Sequence, residues 1–267
     1  MSAPPLTDLQ LSRALHYGQG CFTTLVYRDA QPLLWDYHWQ RLQQACAVLG
    51  LHCEEKILKQ QLLQSIAVQA ESSGIIKVML LADQQADGYA AVPPIATQVL
   101  MVPRRLPQQS IADKRQQGCR LGLCEYRLAQ QPKLAGIKHL NRLDQVLASQ
   151  ELLALQTDDA VMLDCAEQVI ETISANIFLR IESQWLTPDL SLSGVAGVAR
   201  AVISDCFQRL REPLSIRPIH WTEFCMADEV FICNAVRGIW PVVRMQQQTL
   251  AIGPFTRHLQ QQLAAFF

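Results

Sequence analysis

Apolar residues in this chain come in short bursts separated by turn formers, which favours folds built from many short elements over long helical ones. Residues 21–27, 75–81 and 97–102 are strand-length runs rich in β-branched and aromatic side chains. Asp29-Ala30-Gln31-Pro32 supplies a turn, and residues 33–35 read as a second strand. Asp36 is placed to cap a helix running to about Leu49, with Leu42, Ala45, Cys46 and Leu49 on one face and Gly50 closing it. Residues 54–70 repeat that pattern as a second helix. The longest apolar stretches, such as 75–82, are broken by charge and fall far short of the roughly 20 residues a bilayer span needs. Residues 1–10 lack a basic start and an apolar core, so no secretory leader and no membrane are expected.

The stretch 103–109, with prolines at both Pro103 and Pro107, predicts a linker between a small domain, 1–102, and a larger one, 110–267. The larger one opens with a strand at 120–125 and a helix at 141–154. Runs at 160–163, 169–174, 176–181 and 184–186 then predict a meander, with Glu182-Ser183 as a turn. A helix follows Gly197, and strands near Ile216 and at 230–234 complete the domain. The fold class is α+β in two domains.

Formal net charge is -1 and the few aromatic residues are not interleaved with basic ones, which argues against a nucleic-acid partner. Near-neutrality leaves self-association unopposed. The 9 cysteines sit singly, without a C-x-x-C, and read as buried hydrophobes of a reducing, cytoplasmic compartment. The histidines at 16, 38, 52, 139, 220 and 258 show no metal-ligand spacing, so no metal is expected. Nucleotide-binding glycine fingerprints and a serine-nucleophile elbow are also missing.

Among the lysines, Lys56, Lys59, Lys114 and Lys133 stand in polar surroundings. Lys77 lies within Ile75-Ile76-Lys77-Val78-Met79, where alternation puts it on one strand face with Met79 and an edge or solvent-facing position suffices. Lys138 differs, because Leu134-Ala135-Gly136-Ile137-Lys138-His139-Leu140 is a small apolar segment leading into a helix. Partial desolvation there would free the amine to attack an aldehyde, although a lysine snorkelling from a strand end has the same local pattern. The small-residue loop 191–200 opens a helix and could offer backbone N–H groups to a phosphate; alone it is equally a tight turn. Glu171, among Val169, Ile170 and Ile173, would need a cationic or N–H partner if buried, such as a protonated pyridine nitrogen, and a surface position if not. Arg41 stands early on a helix, in reach of an anion or of solvent.

Together these segments resemble a known family. Tyr17-Gly18-Gln19-Gly20-Cys21-Phe22-Thr23-Thr24, His38-Trp39-Gln40-Arg41-Leu42 and Gly136-Ile137-Lys138-His139-Leu140-Asn141-Arg142-Leu143 are similar to segments of the fold-type IV pyridoxal-phosphate enzymes, the class-IV aminotransferases. The stretch from Glu171 to Phe178, Gly197-Val198-Ala199-Arg200 and Val230-Phe231-Ile232-Cys233-Asn234-Ala235 continue the resemblance in order along nearly the whole chain. Within that family the Gly-Cys-Phe-Thr-Thr, Gly-Ile-Lys-His-Leu-Asn-Arg and Ile-Cys-Asn-Ala stretches look most like the aminodeoxychorismate lyase branch. Branched-chain and D-amino-acid aminotransferases are more distant.

The resemblance implies pyridoxal 5'-phosphate as cofactor and a homodimer acting on a small molecule. It also implies a D-amino-acid aminotransferase-like fold, with a small N-terminal α/β domain and a larger β-rich C-terminal domain carrying helices. By resemblance Lys138 would carry the cofactor and Glu171 would pair with its pyridine nitrogen. Arg41, the backbone N–H groups of Val198 and Ala199, and Asn234 with Ala235 would hold its phosphate, with Ser174 and Asn141 nearby. The implied reaction converts 4-amino-4-deoxychorismate to 4-aminobenzoate and pyruvate, a step of folate biosynthesis. An aminotransferase, or a catalytically silent binding relative, is the alternative. Two stretches depart from the family: Gln19 stands where relatives often carry Asp, and residues 81–89 replace a glycine- and arginine-rich loop. Arg104, Arg105, Arg237 and His16 are therefore only candidates for the substrate's carboxylates.

Overall fold

The computed structural model describes residues 12–83 and 88–267. The leader reading of residues 1–10 and the middle of the 81–89 loop lie outside them. The chain divides into two units, Met1–Leu106 with Ile137–Asn141, and Pro107–Gly136 with Arg142–Phe267.

In the first unit, α1 (Arg13–Tyr17) is capped by Ser12 and stopped by Gly18 at φ 65°. Strand β1 (Gly20–Arg28) turns at Asp29 and Ala30, both at positive φ, into β2 (Gln31–Pro32). The expected strand at 33–35 does not form. Leu34 adopts φ 55° and becomes the N-cap of α2 (Trp35–Leu49), so Asp36 lies in the first turn rather than at the cap. There its carboxylate still favours the positive end of the helix dipole. Gly50, at φ 68°, closes α2 as expected.

β3 (Leu51–His52), α3 (Glu55–Ala67), β4 (Ser73–Ala82) and β5 (Ile95–Arg104) follow. They complete a five-stranded sheet of order β2-β1-β4-β5-β3. Its inner face, with Cys21, Leu25, Ile76, Val78 and Leu80, packs on Leu42, Ala45, Leu58, Leu62 and Ile66 of the two helices. Lys77 is not on an edge strand, because β4 pairs with β1 on one side and β5 on the other. Pro103 and Arg104 belong to β5.

The second unit opens with α4 (Gln108–Gln117), β6 (Cys119–Leu128), α5 (Leu143–Leu155) and β7 (Asp159–Asp164). Next come β8 (Val169–Thr172), β9 (Asn176–Ile181), β10 (Gln184–Pro188) and α6 (Val198–Leu210). β11 (Leu214–Arg217), α7 (Trp221–Phe224), β12 (Glu229–Asn234), β13 (Gly238–Met245), β14 (Gln248–Thr249) and α8 (Pro254–Gln262) finish it. The sheet has nine strands, ordered β11-β10-β9-β12-β13-β6-β7-β8 with β14 on β13.

The meander is only partly present. β7 pairs with β8, and β9 with β10 through the Glu182-Ser183 turn, but β9 takes β12 as its other neighbour instead of β8. The turn after β8 is closed on itself, Thr172 N–H and Oγ1 both donating to Ala175 O, at 2.8 and 3.1 Å. Phe178 stacks on Phe207 and on Phe231, and Trp185 and Phe255 join them edge-on or tilted, with ring centroids 4.9–5.9 Å apart. Truncating one such buried ring costs about 3–5 kcal/mol.

Candidate active site

In the first unit, residues 137–141 run beside the start of β1. Phe22 N–H donates to Lys138 O and Leu140 N–H to Gly20 O, both at 3.0 Å, around a Cys21–His139 bridge. The approach needs glycine at position 20, where a Cβ would lie 2.6 Å from both Leu140 Cδ1 and Leu80 O. This pairing sets the half-buried Lys138 next to Phe22, with Nζ 4.8 Å from the ring centroid. Lys77 Nζ lies 4.2 Å from that same centroid, and burial followed by the charge of Arg104 lowers its pKa.

Thr23 points to the opposite face of β1, where its Oγ1 meets His38 Nδ1 at 2.6 Å and accepts from Arg41 Nη2. Burial, then the Arg41 charge, holds His38 well below the ordinary imidazole value, so it is neutral. Burial likewise brings Arg41 down to about 10. Arg41 Nε is buried without an acceptor among the described residues, so this guanidinium keeps donor capacity that an anion's oxygen could fill. Asn141 donates to Gly18 O at 3.3 Å, and Gln19 bridges Arg13 Nε, at 2.6 Å, and Leu49 O, at 2.9 Å.

In the second unit Glu171 is buried on β8, at 5% exposure. Its Oε2 accepts from Val195 N–H at 3.0 Å, and Gln145 Nε2 approaches Oε1 at 3.5 Å. The surface alternative for Glu171 is therefore excluded. Gly194 makes this geometry accessible: at φ +85°, its missing Cβ would sit 2.5 Å from Ile170 Cγ2. Gly136 locks the same loop, donating to Gly194 O and accepting from Ala196 N–H, both at 3.0 Å.

Asn176 pins the next turn, accepting from Gly197 N–H at 3.1 Å and donating to Val195 O at 2.8 Å. α6 then starts at Val198 with no side-chain cap, so its first N–H groups, those of Val198 and Ala199, are not used by a capping side chain. Asn234 shapes its own turn: Oδ1 accepts from Val236 and Arg237 N–H at 3.0 and 2.8 Å, and Nδ2 donates to Ser174 O at 3.0 Å. Ala235, half-buried, follows it in that turn. Ser174 Oγ donates to Asp159 Oδ2 at 2.5 Å and accepts from Arg237 Nη1 at 2.9 Å.

Sequence reasoning missed Thr23, His38, Asn176 and Asp159. For Asn176 a signal existed, since a polar residue between Ala175 and Ile177-Phe178 interrupts an apolar run. Of the remaining substrate candidates, Arg105 pairs with Glu71 at 3.1 Å on the surface, while Arg104 and His16 are exposed. Among the described residues no cluster of side chains could hold a metal ion, and no helix is long and apolar enough to cross a membrane.

Taken unit by unit, the residue types are those a phosphorylated aldehyde cofactor with a basic ring nitrogen would need: in the first unit a lysine and an arginine with an unmet donor, in the second a buried carboxylate and a helix start without a side-chain cap. The aminodeoxychorismate lyase of Vibrio harveyi is 33% identical over 261 residues, covering 96% of either chain. The crystal structure of 4-amino-4-deoxychorismate lyase from Pseudomonas aeruginosa superposes at TM-score 0.90 with 37% identity, over 99% of this chain and 96% of that one. The Escherichia coli branched-chain amino acid aminotransferase shares the fold at TM-score 0.83, with 21% identity over 96% of this chain and 88% of its own. The family described as amino-transferase class IV matches residues 20–245, and the chain belongs to it.

Proposed function

We propose that this chain is a pyridoxal-phosphate lyase that converts 4-amino-4-deoxychorismate to 4-aminobenzoate and pyruvate. The observation that carries the reading is Glu171, a buried carboxylate held by the Val195 N–H on a strand buried along its whole length. Resemblance to the two lyases supports the choice of substrate.

In this reading Lys138 Nζ carries the cofactor. By the family resemblance, Arg41 of the first unit and, in the second, the N–H groups of Val198 and Ala199 with the Asn234–Ala235 turn would hold its phosphate, Ser174 and Asn141 being further candidates. When bound, the cofactor supplies an aldehyde for the substrate's amine and a ring that accepts electrons. Lys138 Nζ would also be the base that takes the substrate's C4 proton. Glu171, buried and held by the Val195 N–H, would be the carboxylate that pairs with a protonated ring nitrogen. The C3–O bond then breaks, the carbocycle becomes aromatic, and the enolpyruvate takes up a proton to leave as pyruvate. Because aromatisation drives the chemistry, the residues chiefly orient groups and stabilise charge. His38, neutral and bonded to Thr23, fixes Arg41's neighbour without adding a competing cation.

A cytoplasmic homodimer belongs to the same proposal; the cysteines of the described chain, all free thiols, suit a reducing compartment. Purified protein mixed with cofactor and 4-amino-4-deoxychorismate should release pyruvate with no keto acid added. Amino transfer to a keto acid, without that release, would make the chain an aminotransferase instead.

A further inference from the structure

The lyase substrate carries two carboxylates, and the second unit offers a guanidinium already fixed in direction. Arg237 lies in the turn between β12 and β13, its Cζ 4.7 Å from the Trp240 ring centroid. One edge is occupied, since Nη1 donates to Ser174 Oγ at 2.9 Å and stands 3.4 Å from Asp159 Oδ2. Asp159, at 1% exposure, is itself tied down, accepting from Ser174 Oγ–H at 2.5 Å and from Ala160 N–H at 2.9 Å. The other edge is open. Arg237 Nε and Nη2 have no acceptor among the described residues, and the side chain is 31% exposed. Those two nitrogens form the side of a guanidinium that takes a carboxylate in two parallel hydrogen bonds.

We propose that Arg237 binds a carboxylate of the substrate through its Nε–Nη2 edge, with Asp159 as the positioning residue that holds the opposite edge. The assignment rests on the lyase reading above. Ser174 connects the pair to the site: it lies three positions after Glu171 in the chain, and its carbonyl accepts from Asn234. Asp159 largely offsets the charge of Arg237, so discrimination comes from the shape of the fork rather than from net charge. A lysine at 237 is therefore a poor substitute.

The test compares wild type with Arg237→Met and Arg237→Lys, all loaded with cofactor. Both variants should raise KM for 4-amino-4-deoxychorismate about 10- to 100-fold, with kcat changed far less and the cofactor absorbance unaltered. Binding of the two products locates the contact. Weaker binding of 4-aminobenzoate in the variants assigns the ring carboxylate, and weaker binding of pyruvate the side-chain carboxylate; either supports the proposal. Wild-type KM and product binding in Arg237→Met overturn it, and wild-type KM in Arg237→Lys overturns the role of the fork. Should Arg237→Met not fold, product binding to Arg237→Lys decides alone. A wild type that colours with cofactor but releases no pyruvate refutes the lyase reading instead.

Discussion

Replacing Gly194 with alanine should damage both the second unit and its hold on the cofactor. Gly194 sits at φ +85°, where an added Cβ would meet Ile170 Cγ2 at 2.5 Å, Leu190 Cδ2 at 3.0 Å and Glu171 Cδ at 3.6 Å. The left-handed backbone alone costs a non-glycine residue about 1–2 kcal/mol. Overpacking against the buried Ile170 and Leu190 adds about 1–3 kcal/mol. If the loop relieves the clash by moving, the Val195 N–H to Glu171 bond goes instead, worth about 1.5–3 kcal/mol for a charged acceptor. These routes compete, so the expected total is about 3–4 kcal/mol, within the reserve of a folded domain. Urea unfolding of the cofactor-free protein measures the loss, and a cofactor titration followed by absorbance should show at least a tenfold weaker site. Gly88→Ala is the control, because Gly88 has φ +68° with no atom of the described residues within 4 Å of its missing Cβ. It should show the backbone cost alone and unchanged cofactor binding. A Gly194→Ala protein no less stable than Gly88→Ala, binding cofactor as wild type does, would refute the reasoning.

Glu171→Gln keeps an oxygen for the Val195 N–H but no longer holds a ring nitrogen protonated. Stability should change by less than about 1 kcal/mol, while kcat for pyruvate release falls about 10- to 100-fold; an unchanged kcat contradicts the assigned role. His38 has a folded pKa well below its unfolded one, so the unfolded chain binds the extra proton and stability is fully present only above the unfolded value of about 6.5. Below that pH, wild type should lose about 1.4 kcal/mol per unit more than His38→Asn; parallel urea midpoints between pH 7.5 and 5.5 would contradict this.

Local pattern went far where a residue's neighbours in sequence decide its conformation. The strand expected over 21–27, the close of α2 at Gly50, the Glu182-Ser183 turn and the helix after Gly197 all follow from glycine, turn and alternation rules. Errors arose where a partner distant in the chain decides. Alternation correctly paired Lys77 with Met79 on one face, but nothing local told that 95–104 would cover the outer side of β4. β13 escaped notice because Pro241 stands opposite Phe231 in the middle of it, and prolines usually argue against an inner strand. The Asp159–Ser174–Arg237 cluster joins three separate segments, so only the folded chain reveals it. For Glu171, sequence alone left burial undecided, and Gly194 resolves it by bringing Val195 N–H onto the carboxylate.

The most direct measurement is to load the protein with pyridoxal phosphate, reduce it with borohydride and map the labelled peptide by mass. The label should fall on Lys138 alone, and Lys138→Ala should never acquire absorbance near the visible edge. Label on Lys77, or a coloured Lys138→Ala protein, would contradict the account.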